Sequence, residues 1–184
     1  FLDPIIKEMK PYEKNIIKIT SQHNDTILNQ KNSFYIGSET VLNIFFRFVD
    51  VKAIIMTLTD LNNYFIKRSN NPVHYFYIFH SLVSTHRAYR EKAFNSYDTI
   101  LCTGEYQIQE IRKTEKIYNL PKKNLEKHGY GRLDKLMNDI KEKNIKFQSN
   151  KNFINVLISP TWGNGSIFGD ILNELISILI TYNF

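Results

Sequence analysis

One cysteine and one tryptophan, Cys102 and Trp162, are all that the chain holds of those two residue types, and methionine appears three times. With a single thiol no disulfide forms within the chain, which suits a reducing compartment, and Cys102 inside an apolar run reads as a small buried hydrophobe. No signal peptide opens the sequence, and no apolar run reaches the roughly 18 residues of a membrane span. The apolar run at 171–184 is too short and carries Asn173 and Glu174. Several motifs are missing as well. There is no Gly-x-Gly-x-x-Gly after a strand, no Walker loop, no His-Glu-x-x-His, no paired-cysteine zinc spacing and no Asp-x-Asp metal anchor. These absences argue against a resident metal and leave no cofactor to expect. Neither internal repeats nor low-complexity tracts occur.

What the chain does have is apolar and aromatic substance, 42% and 14% of its 184 residues, ample for a packed core. That length suits one domain, or one domain with part of a second. The formal net charge is +6 and unevenly spread: residues 112–151 carry twelve Lys or Arg against five Asp or Glu, and nothing after Lys151 is basic. A basic face of this kind attracts anionic lipid, nucleic acid or a phosphate-rich substrate, and a plainly solvated helix face explains the same letters. Nucleic acid is the weakest of these partners, because the aromatics lie in apolar runs and do not alternate with the basic residues. The expected location is cytoplasmic, with peripheral contact to the inner face of the cell membrane left open. The chain starts at Phe1, and its last apolar run stops with no cap and no following strand, a pattern expected of a piece of a longer protein.

The organising stretch is 74–105. Tyr75-Phe76-Tyr77-Ile78-Phe79 reads as a buried strand ending at His80-Ser81. Ser84 or Thr85 then caps an expected helix carrying Tyr89, Arg90 and Phe94, and residues 98–102 form a second strand ending at Thr103-Gly104-Glu105. Two buried strands joined by a helix make a parallel βαβ unit. Around it the spacing predicts strands at 16–20, 34–36, 52–58, 125–130 and 153–158. Helices are predicted near the N-terminus, at 38–48 from the cap residue Ser38, at 106–119 on Ile108, Ile111, Ile117 and Tyr118, at 132–144 on Leu133, Leu136, Met137 and Ile140, and at the C-terminal end. Strands alternating with helices indicate an α/β fold with a Rossmann-like parallel sheet. The polar stretch 147–152 is the best linker, dividing a domain at 1–146 from the first strand and helix of a second at 153–184.

Ligands of open α/β sheets sit outside the carboxyl ends of the strands. His80 lies at such an end, and an imidazole there can take a proton from an attacking hydroxyl; the plain alternative is a histidine packed at the edge of the core. His86 reads as a helix-surface residue, and His128 fits contact and packing equally. Gly129-Tyr130-Gly131-Arg132 opens a helix, where backbone N–H groups and Arg132 suit a phosphate, although a turn and a capped helix account for the same residues. The loop at 159–166 places small and hydroxyl residues between strand and helix.

In order, the segments HSLVSTHRAYREKAF (80–94), SYDTILCTGE (96–105), EIRKTEKIYNLPKKNL (110–125), GYGRLDKL (129–136) and VLISPTWGNGSIF (156–168) resemble the CDP-glycerol glycerophosphotransferase family, whose members build poly(glycerol phosphate) and related teichoic-acid-like or capsular polymers. The resemblance covers about residues 75–168; the ordered set is fairly specific and no single motif is. It implies a metal-free GT-B architecture of two Rossmann-like domains facing a cleft, with the acceptor on the first and the CDP moiety on the second. His80 matches the family's general base, and Ser81, Ser84, Gly104, Glu105, Tyr130 and Arg132 are the expected substrate-binding groups, faced by Thr161 and Trp162 across the cleft. The implied partners are a CDP-activated alcohol donor and a polymer or lipid-linked acceptor. Two departures stand out: the family has Gly-Tyr-Pro where this chain has Gly129-Tyr130-Gly131, and its donor-binding histidine and Ser/Asp cluster would fall beyond Phe184. Residues 1–184 alone are therefore expected not to form the donor site. The rival expectations are a GT-B glycosyltransferase using a nucleotide sugar, and a non-catalytic protein that binds an anionic polymer or membrane.

Overall fold

The structure, a computed structural model, describes residues 2–144, 156–159 and 171–181. It divides into two units, Phe1–Asn138 and Asp139–Phe184, and the division falls within one helix. In the first unit α1 (Asp3–Glu8), with Pro4 in its first turn, runs into a 3-10 helix at Lys10–Asn15. Two short strands, β1 (Lys18–Thr20) and β2 (Ser33–Tyr35), pair in parallel, as Ile19 opposite Phe34. Between them Asp25 caps a 3-10 turn (Thr26–Asn29) by accepting the Ile27 N–H. Next comes α2 (Glu39–Phe48), capped as expected: the Ser38 hydroxyl accepts the Val41 N–H.

The main sheet follows, with β3 (Ala53–Met56), β4 (His74–Ile78), β5 (Thr99–Cys102) and β6 (Asn124–Lys127) in spatial order β3-β4-β5-β6, every pair parallel. This is the Rossmann-like α/β sheet that the alternation of strands and helices predicts. Helices α3 (Glu105–Ile117) and α4 (Gly131–Glu142) follow β5 and β6. A right-handed crossover between neighbouring parallel strands that always steps the same way lays every connection on the same face of the sheet. Burial agrees. Register puts Met56, Tyr77 and Ile100 side by side, and these join Tyr75, Phe79 and Cys102 in the core, all at most 9% exposed. On the opposite pleat Phe76 and Leu101 are only half-buried, while Ile78 and Thr99 are buried.

The segment between β4 and β5 differs from expectation. One helical turn forms, with Ala88 N–H donating to the Ser84 carbonyl, but residues 85–97 then continue as turns, and Lys92 takes φ 69°. The cause is long-range. The carbonyls of Lys92, Ala93 and Ser96, which a continuing helix would use, accept instead from the Asn63 amide, the Asp60 N–H and the Arg68 guanidinium of the loop after β3. The irregular path also delivers Phe94 and Tyr97 edge-on to Tyr77, and Tyr89 edge-on to Phe94, with ring centroids 4.9–5.1 Å apart. Tertiary pairing thus overrides the helix propensity of Arg90-Glu91-Lys92-Ala93.

At the other end of β4 and β5, Arg68 forms a bidentate pair with Asp98 at 3.1 and 3.0 Å, donates to the carbonyls of Ser96 and Val73, and lies 4.6 Å over the Tyr75 ring. Asp98 also accepts the Tyr75 N–H at 2.8 Å. Burial alone would raise the Asp98 pKa, but the hydrogen bonds from Arg68 and Tyr75 and the nearby positive charge hold it below the usual carboxylate range.

In the second unit the expected strand at 153–158 is not found where residues are described, since 156–158 carry none. The linker at 147–152 lies outside the described residues. The expected last helix is α5 (Leu172–Thr181), whose Ser177 and Thr181 hydroxyls donate to the carbonyls one turn back. Among the described residues no helix is long and apolar enough to cross a membrane.

Arg68→Ala is expected to destabilise the fold by about 2 kcal/mol, the loss of several charge-assisted hydrogen bonds at a partly exposed site. Because folding lowers the Asp98 pKa, its contribution is complete above the unfolded value of about 4 and is lost as pH falls through the folded one. Denaturant titrations across pH 2–7 should therefore show a shallower acid loss of stability in Asp98→Asn than in wild type.

Candidate functional site

The carboxyl ends of β4, β5 and β6 lead into three polar clusters: His80-Ser81, Thr103-Gly104-Glu105, and residues 128–132. His80, two residues beyond β4, is exposed, and its carbonyl accepts the Tyr130 hydroxyl at 2.9 Å, so a group placed before α4 touches the loop after β4. Gly129, at φ 80°, makes the left-handed turn into that segment, where a side chain would be strained. The N–H groups of His128 and Gly129 both donate to the Cys102 carbonyl, tying this turn to the end of β5.

The other expected residues take separate partners. Ser81 Oγ lies 3.2 Å from the Tyr89 hydroxyl, and Ser84 Oγ lies 3.0 Å from His86 Nδ1. Gly104 is the N-cap of α3, and a Cβ there would sit 3.0 Å from the Tyr106 ring. Glu105 is exposed and pairs with Lys127 at 2.7 Å. Arg132, exposed, lies in the first turn of α4. Thr161 and Trp162 lie outside the described residues. Cys102 is buried and unlinked, and burial pushes its thiol up to about 11, with Arg112 lowering it and Glu105 raising it further, which makes it an inert core group.

The loop that carries His80 is held by residues absent from the expected site. Gln107 is 0% exposed; its Nε2 donates to the Val83 carbonyl at 3.1 Å, and its Oε1 accepts the Thr103 N–H at 2.8 Å. One side chain therefore fixes the loops after β4 and β5 together. One turn on, Glu110 Oε2 accepts both the N–H and the hydroxyl of Thr85, at 2.6 and 2.8 Å, while its Oε1 lies 3.4 Å from His86 Nδ1. Burial pushes the Glu110 pKa up, yet the Thr85, Ser84 and His86 contacts outweigh it and hold the carboxylate below its ordinary value. Ser84 and Glu110 approach the same nitrogen of His86, so the trio is not a proton relay, which needs acid and nucleophile on opposite ring nitrogens.

The buried face of α3 is Gln107, Ile111 and Glu115, whereas Ile117 and Tyr118, expected in its apolar stripe, are 63% and 54% exposed. The legible clue was position: Gln107 stands three residues after the Gly104 cap, where a Gln or Glu reaches back to the chain entering the helix. The basic stretch is also partly spent inside the fold. Arg112 pairs with Glu115 at 2.7 Å and donates to the Lys123 carbonyl, Lys123 is buried, and Lys127 serves Glu105.

Among the described residues no group of three or more His, Cys, Asp or Glu is placed to hold a metal ion. No protein family, curated protein or solved structure matches this chain.

Gln107→Leu keeps the side chain's bulk but leaves the Val83 carbonyl and the Thr103 N–H unpaired. It should cost about 1–3 kcal/mol. Amide exchange at Thr103 should accelerate before that of the core strands, as hydrogen exchange by NMR would show.

Proposed function

We propose that this chain carries the acceptor-side site of a glycerophosphotransferase-like enzyme. Such an enzyme moves a phosphoalcohol from a CDP-activated donor, CDP-glycerol, to a hydroxyl of a cell-surface polymer or lipid-linked acceptor. The observation that carries the reading is His80: an exposed imidazole at the carboxyl end of a central parallel strand, with its backbone held by Tyr130 from the end of β6. In this reading the neutral imidazole takes the proton of the acceptor hydroxyl. The acceptor oxygen then attacks the β-phosphorus, a new P–O bond forms, the bond to the bridging oxygen breaks, and CMP leaves with that electron pair.

Such transfer asks the protein for positioning and charge stabilisation more than for covalent chemistry. Arg132 in the first turn of α4 is the cation assigned to the developing negative charge, and Ser81 and Ser84 are the hydroxyls assigned to the acceptor. The Gln107 and Glu110 clamps supply the rigidity, since they fix the loop between His80 and the turns that follow.

The test compares wild type and His80→Ala in the chain as its native gene encodes it, by incorporation of labelled CDP-glycerol into acid-precipitable polymer. Transfer should fall by about 10²–10⁴-fold with donor binding unchanged. Equal rates in the two proteins would sink the assignment of the base. Preference for a UDP-sugar over CDP-glycerol would instead identify a nucleotide-sugar glycosyltransferase. Absence of turnover with either donor, combined with salt-sensitive binding of poly(glycerol phosphate) that ignores His80→Ala, would identify a non-catalytic binding protein.

A further inference from the structure

Between the turns at 85–95 and helix α3 lies a cavity of about 250 Å³. Tyr89, Phe94, Ile111 and Leu120 give it an apolar wall, and its charged lining is Arg90, Lys92 and Lys123 against Glu91 and Glu115, with His86 beside them. Lys123 is the unusual member. It is 8% exposed, and its ammonium has no hydrogen-bond or ion-pair partner among the described residues. Glu115, the carboxylate that acts on it most strongly, is already committed: Oε1 accepts the backbone N–H of Lys123 and Oε2 accepts Arg112.

The Lys123 side chain is largely out of water while its Nζ still touches solvent, and an ammonium so placed is unfavourable without an anion nearby. Burial accordingly lowers the Lys123 pKa, opposed by Glu115 and Asp98 and reinforced by Arg112. An anion arriving in the cavity would offset that partial desolvation. Arg90, whose guanidinium lies 5.4 Å over the Tyr64 ring, Lys92 and Lys123 line the cavity with Glu91 as the one lining carboxylate not already bonded to the fold, a balance that favours a dianion over a monoanion. The volume corresponds to about eight waters, room for a ring beside the charged group, and the aromatic and aliphatic wall suits one.

We propose that this cavity binds a small organic phosphate with a ring-sized apolar body, with Lys123 as the partly desolvated counter-charge and the exposed Arg90 and Lys92 completing the anion's surroundings. The site is separate from the chemistry assigned to His80 and stands or falls independently of it.

Phenyl phosphate is the probe, titrated calorimetrically into the whole chain at low salt alongside phenol and inorganic phosphate. Wild type should bind it with Kd of about 1 mM or tighter, with each fragment about tenfold weaker. Lys123→Met, which keeps an apolar stem, should weaken binding by at least about tenfold. In parallel, limited acetylation of the wild-type protein followed by peptide mass mapping should show Lys123 protected by phenyl phosphate while the exposed Lys113 is not, and this decides the matter if Lys123→Met fails to fold. No binding up to about 10 mM, unchanged affinity in a folded Lys123→Met, or an unprotected Lys123 would overturn the proposal. Inorganic phosphate binding as tightly as phenyl phosphate would overturn the apolar part of it.

Discussion

The two loops that border the candidate site depend on one buried amide. Gln107 satisfies a carbonyl in the loop after β4 and an N–H in the loop after β5, from a position with no access to water. Each bond adds only about 1 kcal/mol net, but an unpaired buried polar group costs about 1–3 kcal/mol, so neither loop can move without penalising the other. Glu110 extends the arrangement by one helical turn, anchoring Thr85 through two hydrogen bonds to a single oxygen. The exposed imidazole of His80 thus hangs on a segment bracketed by Phe79 in the core, Val83 on Gln107 and Thr85 on Glu110, with the Tyr130 hydroxyl on its own carbonyl. A reactive group on a loop gains precision from this kind of second layer.

The strands were readable because a parallel strand covered by its neighbours is close to a continuous apolar run, as Tyr75 to Phe79 illustrates. The cap at Ser38 was readable because it is local. The crossover at 85–97 was not, since its carbonyls are taken by Asp60, Asn63 and Arg68, some thirty residues earlier, and no local pattern records that. Of the buried face of α3 only Ile111 was readable: the other two residues are polar, and an apolar stripe cannot find Gln107 or Glu115. For the candidate site, the strand-end positions of His80 and Tyr130 followed from sequence order. Their contact, made by residues fifty apart, did not.

Charge tells a similar story. A stretch that reads as a basic face turns part of its charge inward, where Arg112, Glu115 and the Lys123 backbone knot the end of α3 to the start of β6. That knot carries the Lys123 side chain into the body of the protein and sets it against an aromatic wall. The same connection that completes the sheet thereby creates the cavity.

The spatial order of the sheet equals its order in the sequence, so each strand meets its partner about 20–25 residues away and never reaches past a strand made later. Loop-closure entropy rises only slowly with length, but it must be met before a pairing gives anything back. A sheet assembled by neighbours alone meets it in equal, modest steps. Growth can begin with the aromatic strand β4 and add one neighbour at a time. Emergence from the ribosome would present the strands in their spatial order, each finding the edge of its predecessor already waiting.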